Sequence, residues 1–599
     1  MINRSLIKVF LINLIFLFLF NNLNAETVSE DKPISDSTET NQQNIDTAEV
    51  TLTITNSTVT RGNKSIVVNS GLADVSISID SNSTVKTTSG DNPILGENTT
   101  RLSVDNYGTI TSSSKKAIDI YRTTDATITN NSGGEIYAAG NTFRTGGKSD
   151  DNSVGYTITN SGKIYSTNTT NSAIFGNANS TGGKIVNNSG GEIYSSGSQA
   201  TIKVGASTTI TNSGSIKNNS DLDNSSISLL GNSNTVTLKN DGIVVGVIEA
   251  ADGTTGNKLQ MQHGFGQGYF YETSGDFTLE DLDGNQVVKG SAGSVGQGGS
   301  ETLDELLGYK SLNIRKSLNR YKKSKSFIEG KDSWGEAYVS NLKRKENNNN
   351  LAIGYDHKTF GINLINPLQS SHFMLSLEHS KQDLLQDHSI TRYGLLTGLY
   401  FPQLKNLGKF ETENFVSAGI TLNDSERTIL TNTTTSGILN VTDTYETYEV
   451  IAGKKFKYFD NLSNINLIPD IGITVGYSLT PSHSESKYFI WDKKHVANLT
   501  ASLSDEYSIQ ISENTNLSAG WIGDFRRLIT EQKQKYEINN TKATFSPGNE
   551  LKNEITFAGN IGLKHNFSKH GLISFNLDGS HSTQDTNNIA GYIAMEIKF

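Results

Sequence analysis

Ile158-Thr-Asn-Ser-Gly-Lys-Ile164 is the stretch on which the fold turns, because it recurs. Ile54-Thr-Asn-Ser-Thr-Val59, Val104-Asp-Asn-Tyr-Gly-Thr-Ile110 and Ile210-Thr-Asn-Ser-Gly-Ser-Ile216 repeat it, and Asn131-Ser-Gly-Gly-Glu-Ile136, Asn188-Ser-Gly-Gly-Glu-Ile193 and Leu238-Lys-Asn-Asp-Gly-Ile243 vary it. With Asn56, Asn82, Asn106, Asn131, Asn160, Asn188, Asn212 and Asn240 as turn marks, the steps are 26, 24, 25, 29, 28, 24 and 28 residues. Self-similarity at such a period signals a solenoid. Each unit reads as a short strand, a turn at Asn-Ser-Gly where positive φ is cheap, and a second strand opening at Ile. One unit cannot bury its apolar face alone. Stacked coils superimpose their Ile and Val positions into an interior column while the backbones pair from coil to coil. The reading is a right-handed parallel β-helix of about eight coils, near 40 Å long at roughly 4.8 Å per layer, with the Asn amides aligned to hydrogen-bond along the stack. Pro93 is the only proline between Pro33 and Pro367, as expected where nearly every backbone N–H is donated to a neighbouring coil.

Upstream of the repeat, residues 26–50 are polar and carry seven acidic residues against Lys32 alone, which predicts a disordered acidic spacer. Residues 1–25 place Arg4 and Lys8 before the apolar run Val9–Phe20 and end on the small residue Ala25. That order predicts a signal peptide cleaved after Ala25. Downstream, the repeat is lost from about 251 and glycine accumulates to 300, so the β-helical segment 51–300 is expected to end irregularly.

Thr302-Leu-Asp-Glu305 matches a capping box, and Leu303, Leu306, Leu307, Leu312, Ile314 and Leu318 recur at helical spacing. Residues 301–332 therefore read as a linking helix whose later half is basic, including Arg315, Lys316 and Arg320. Some twenty helical residues cover about 30 Å, the height of a membrane-spanning barrel. From Trp334 the texture becomes long strands of period two. Ile471, Ile473, Val475 and Tyr477 alternate with Gly472, Thr474 and Gly476, and Ile589, Ile593, Met595, Ile597 and Phe599 alternate with Ala590, Ala594, Glu596 and Lys598. About a dozen such strands over 333–599, apolar on one face and small or polar on the other, predict a transmembrane antiparallel β-barrel.

The order of signal peptide, Asn-Ser-Gly β-helix, helix and a barrel of about 270 residues ending in Phe resembles the classical (type Va) autotransporter family of Gram-negative bacteria. The positions that best match the family are Trp334, opening the first barrel strand, and Phe599, closing the last, with Ile593, Met595, Ile597 and Phe599 read as the barrel's closing signal. The resemblance implies an all-β chain with a barrel of about 12 strands in the outer membrane, the linking helix in its pore, and a passenger exposed at the cell surface. It implies the Sec export and barrel-assembly machineries as partners. No Asn-Asn pair occurs in 301–325, where some family members are cleaved, so the passenger is expected to stay attached.

Composition narrows the chemistry. Among 599 residues there is no Cys, and the formal net charge is -10. A disulfide framework and thiol chemistry are excluded, and an acidic chain lacks the basic footprint of a nucleic-acid binder. All ten His lie at or after His263, outside the repeats, and no GxSxG, HExxH or phosphate-loop motif occurs. Asp281-Leu-Asp-Gly-Asn285 lacks the distal Glu of a calcium loop and reads as a turn. No catalytic, cofactor or metal residue is therefore assigned. The expectation is a non-enzymatic passenger with an adhesive or structural role, a possible extracellular ligand and no cofactor. Scattered charges such as Asp119, Arg122 and Asp125 leave an exported β-helix hydrolase of polysaccharide as the alternative.

Overall fold

The computed structural model describes residues 25–146, 152–288, 290–296, 299–325, 332–346, 353–402, 409–458, 469–531, 533–546, 552–568 and 570–598. The expected signal peptide up to Asn24 and the terminal Phe599 lie outside the described residues. The chain divides into two compact units, one of Met1–Gly264, Phe270–Asp283 and Leu430–Leu439, the other of Phe265–Tyr269, Gly284–Ile429 and Asn440–Phe599.

The first unit is a parallel β-solenoid with three sheets of 11, 11 and 9 strands. Register is strict. Val104, Ile128, Ile158, Ile185 and Ile210 sit one above another, all fully buried. Strands of four residues suffice because alternation puts two side chains inside per strand and each coil covers the next. Burial of one such Ile contributes about 1.5–3 kcal/mol.

Two expectations about the ends of this unit are corrected. Residues 26–50 are not a disordered spacer: strands Ala25–Val28, Lys32–Ser35 and Thr38–Glu39 form the first coil, and Gln42–Ile45, paired on Ala25–Val28, opens the second. Apart from the buried Gln43 their polar side chains are exposed or half-exposed, while Val28, Ile34 and Ile45 are buried, and the coil above supplies the area this stretch lacks alone. Nor does regular structure stop at 251, since Lys258–Gln262 and Thr278–Asp281 continue the second sheet in register. These coils lack the Asn-Ser-Gly turn, so the repeat vanishes from the sequence before it vanishes from the backbone.

The glycine of the plain Asn-Ser-Gly turn serves a purpose other than the one expected. Gly162 and Gly214 do not adopt positive φ. A Cβ there would instead collide with the carbonyl oxygens of Gly134 and Gly191 in the coil below. Close stacking of turn on turn requires the residue, not backbone handedness.

The second unit holds helix α1, Leu303–Lys325, inside a closed barrel of twelve antiparallel strands. These are β1 (Asp332–Arg344), β2 (Tyr355–Pro367), β3 (His372–Asp383), β4 (Ser389–Phe401), β5 (Phe410–Thr431), β6 (Ile438–Tyr458), β7 (Asp470–Thr480), β8 (Lys494–Ser512), β9 (Thr515–Leu528), β10 (Asn553–Ser568), β11 (Gly571–Ser582) and β12 (Thr586–Lys598). Pairing of Trp334 with Glu596 and Ala337 with Ile593 joins β1 to β12 and closes the wall. Ile471, Phe557, Ile589, Ile593, Met595 and Ile597 all point outward and are exposed, whereas Ala590, Tyr592, Ala594 and Glu596 point inward and are buried. Thirteen residues of strand tilted by about 40° rise roughly 30 Å, and the 23 residues of α1 run about 35 Å. Helix and wall are matched in height.

Candidate functional site

Among the described residues, buried charge is densest in the lumen. Helix α1 is too polar to be held by apolar contact alone. Leu307, Ile314, Leu318 and Tyr321 do pack against Trp334, Ile365, Met374, Tyr400 and Phe415 of the wall, and the Tyr321 and Trp334 rings lie 5.9 Å apart. The rest of its circumference is ionic.

Near its C-terminal end, Arg320 donates to Glu336 through Nε (2.5 Å) and Nη2 (2.9 Å), reaches Asp578 at 3.4 Å, and lies 3.7 Å over the Tyr592 ring. Arg315 forks onto Asp524 at 2.9 and 2.5 Å, and Lys316 meets Asp578 at 3.2 Å. Lys322 pairs with Glu413, Lys323 with Glu506 at 3.2 Å, and Lys310 with Glu449 at 2.6 Å. The basic run expected from sequence to sit in an acidic lumen thus finds a named carboxylate for Arg315, Lys316 and Arg320 alike.

The helix N-terminus carries the opposite arrangement. Asp304 meets Arg526 at 3.0 Å and Glu305 meets Arg344 at 2.8 Å. Acids at the start and bases at the end also suit the helix dipole. The expected capping box is not made. The Thr302 hydroxyl donates to the Gly299 carbonyl at 2.7 Å, and Glu305 turns outward to accept from Thr586 and Arg344. A buried guanidinium competes better for that carboxylate than a neutral backbone N–H does. Gly308 permits this grip, because a Cβ there would stand 2.6 Å from Nη1 of Arg526.

A cavity of about 360 Å³ remains beside the C-terminal half of α1, lined by Lys316, Asn319, Arg320, Lys455, Asp470 and Glu506. Among the described residues, no group of three or more His, Asp or Glu is arranged to hold a metal ion, and no helix is long and apolar enough to cross a membrane.

In the solenoid, the turn asparagines divide into three sets. Asn106, Asn160 and Asn212 are buried and belong to a ladder in which each amide donates to the next at 2.8 Å: Asn106 to Asn130, Asn130 to Asn160, Asn160 to Asn187, Asn187 to Asn212. Asn131 and Asn188 are corrected by one residue, since the ladder is built from Asn130 and Asn187, and the marked residues stand beside it in the turn. Asn56, Asn82 and Asn240 are exposed turn residues, and Asn56 and Asn240 have φ of 47° and 52°. At those coils the ladder position is filled by Ile54, Ile79 and Leu238. Ala25 opens the first strand, paired with Gln42.

Sequence reasoning missed the wall carboxylates. Their only signal was parity: Glu336, Glu413, Asp524 and Asp578 fall on the inward set of strands whose outward set is apolar. It also missed a ladder of stacked tyrosines on the solenoid's outer face, Tyr137, Tyr165 and Tyr194, with ring centroids 4.8 and 4.7 Å apart.

No protein-family model matches the chain, and no curated protein matches it either. Solved structures do. The translocator domain of autotransporter NalP from Neisseria meningitidis is similar at 9% identity, with 49% of this chain and 98% of that chain covered and a TM-score of 0.35. The β-domain of the Bordetella autotransporter BrkA is similar at 9% identity over 45% of this chain and 100% of that one, TM-score 0.30. The transport unit of the Escherichia coli autotransporter AIDA-I is similar at 10% identity over 45% and 90%, TM-score 0.30. All three are autotransporter barrels. At these scores the likeness adds nothing to what the strand pairing and the occupied lumen already establish about the fold.

Proposed function

We propose that this chain is a type V autotransporter of the outer membrane, whose twelve-stranded barrel carries its own β-solenoid to the cell surface. One observation supports this above the rest. The segment that follows the solenoid in sequence runs as α1 through the barrel lumen before the chain turns into β1, and it is gripped there by paired charges at both ends. The apolar outer wall suits lipid, and the polar inner wall suits a passage.

The passenger's role is read as adhesive or structural. Its outward faces are rows of Ser, Thr, Asn and Tyr on a rigid lattice, suited to binding by many weak contacts. It is read as carrying no enzymatic activity. Protease treatment of intact cells should remove residues near 26–283 and leave a heat-modifiable barrel fragment. A solenoid recovered only from the periplasm refutes transport. Purified full-length chain tested against glycan and peptide panels should bind without turnover, and turnover of a polysaccharide would replace the adhesive reading with the hydrolase.

A further inference from the structure

The lumen wall is charged in opposite senses at its two ends. On β1, Glu336 and Arg344 both point inward, eight residues or about 26 Å apart along the strand. On β5 the pair is Glu413 and Arg427, and on β8 it is Glu506 and Lys494. In each case the acid lies toward the C-terminal end of α1 and the base toward its N-terminal end, as the antiparallel strand directions and the ion pairs of α1 with Glu336, Arg344, Glu413 and Glu506 require. Arg392 and Arg526 add to the basic end and Asp578 and Glu596 to the acidic end; β10 runs the other way, with Glu554 paired to Arg526 and Lys564 toward the acidic end.

The chain itself has a charge order that matches. Residues 26–300 hold 28 acidic against 17 basic residues, and residues 311–325 hold six basic residues and no acid. We infer that the axial charge asymmetry of the lumen selects acidic passenger sequence for outward movement and uses the basic end of α1 as the stop. This rests on the transport reading. Low-dielectric walls focus the field of their charges along a narrow passage. An acidic segment in the lumen is pushed away from Glu336, Glu413 and Glu506 and drawn toward Arg344, Arg427 and Lys494. A basic segment is pushed the other way, so when the run Arg315–Lys325 enters it settles against the acidic end and goes no further. The ion pairs of Arg315, Lys316, Arg320 and Lys323 are the seated state of that stop.

The test follows surface arrival in intact cells by pulse labelling a single cysteine, Thr40→Cys, with an impermeant maleimide; the chain has no other Cys. Lys at the exposed residues Glu30, Glu192, Asp223, Asp241, Asp252 and Asp276 turns the acidic excess of eleven into a basic excess of one. Arrival should slow roughly tenfold or more, the scale on which charge steering changes rates, and neutral Gln or Asn at the same six positions should fall between. Arg392→Gln, which removes a cation that pairs with Gln382 and with no residue of α1, should slow the acidic passenger and leave the Lys-rich one unchanged or faster. Full-length chains refolded in detergent should yield the same protease-resistant solenoid, so that misfolding is not read as slow transport. Equal arrival rates for acidic and Lys-rich passengers overturn the selection and leave transport standing. No arrival of the unaltered passenger overturns both.

Discussion

Glu336→Gln should loosen α1 from the barrel more than any other single loss of charge. The Glu336 side chain is fully buried and the Arg320 side chain is 7% exposed. Glu336 accepts from Arg320 twice, from Ser317 at 2.9 Å and from Asn363 at 3.1 Å. With that charge gone, Arg320 retains Asp578 at 3.4 Å, but Asp578 also holds Lys316 at 3.2 Å. Two buried cations would then share one carboxylate. Breaking one side of a buried pair costs about 3–5 kcal/mol. The cavity of about 360 Å³ lined by Lys316 and Arg320 can admit water and lower this, so about 2–4 kcal/mol is expected. At about 1.4 kcal/mol per tenfold, the population with α1 released rises roughly 30- to 1,000-fold. Asn319→Cys lines the same cavity, and its maleimide labelling rate in detergent-solubilised protein reports that population. A rate within about threefold of the parent would show that Glu336 does not anchor the helix. The double variant Arg320→Met with Glu336→Leu should label more slowly than Glu336→Gln, since it leaves no charge unpaired.

Three further outcomes follow from the geometry. Asn130→Ala breaks the ladder on both sides and should destabilise the solenoid by about 2–4 kcal/mol, whereas Asn131→Ala, which loses the half-buried bonds to Asp105 and to the Asn106 carbonyl, should cost about 1 kcal/mol. Denaturation followed by tyrosine fluorescence separates them, because Trp334, Trp491 and Trp521 all lie outside the solenoid sequence. Gly308→Val drives a side chain into the Arg526 guanidinium and should raise Asn319→Cys labelling as Glu336→Gln does, by the loss of the Asp304 pair. His263 donates from Nδ1 to the Asn240 carbonyl at 2.6 Å and accepts the Tyr271 hydroxyl at Nε2 at 2.9 Å, and burial holds its pKa below the ordinary value of 6.5. A lowered folded pKa means that the unfolded chain takes up the proton first, so solenoid stability should be level above about pH 6.5 and fall as pH drops below it. His263→Gln should flatten that slope between pH 6.5 and 5 in protease-resistance titrations of the full chain, and an unchanged slope would assign it to other groups.

How much of this was legible in the sequence depends on whether a constraint is local. Coil length, barrel strand parity and the basic half of α1 all repeat or alternate within a few residues, so pattern alone located them. The acidic first coil could not be found that way. Val28 and Ile34 are too sparse to bury themselves, and only the coil stacked on them, with Ile45 over Val28 and Ile54 over Ile34, makes the segment fold. The wall carboxylates were invisible for the related reason that nothing in β1 or β11 says that Glu336 and Asp578 will meet the same arginine.

The asparagine register carries the lesson furthest. In Ile128-Thr-Asn-Asn-Ser-Gly-Gly-Glu-Ile136, matching the turn letters to Asn-Ser-Gly selects Asn131, while counting two residues from the buried Ile128 selects Asn130. The second choice is the physical one. A strand's inward positions are set by its period of two, and that phase continues through Ile128 into Asn130, whose amide is then held against Asn106 below and Asn160 above. The turn absorbs the two extra residues, placing Gly133 at φ 84°, without moving the ladder. Turn letters are therefore poor register marks in a solenoid, and apolar phase is a good one. The same rule applied at Ile185 selects Asn187 over Asn188, and at Ile54, Ile79 and Leu238 it ends the ladder where the inward position is apolar. An Asn introduced at Leu238 should extend the ladder by one rung, accepting from Asn212, whereas Asn at Lys239 should not. The first variant should retain near-parental stability and the second should leave the Asn212 amide with only the Ile243 carbonyl it already has. Equal effects of the two substitutions on solenoid unfolding would refute the phase argument.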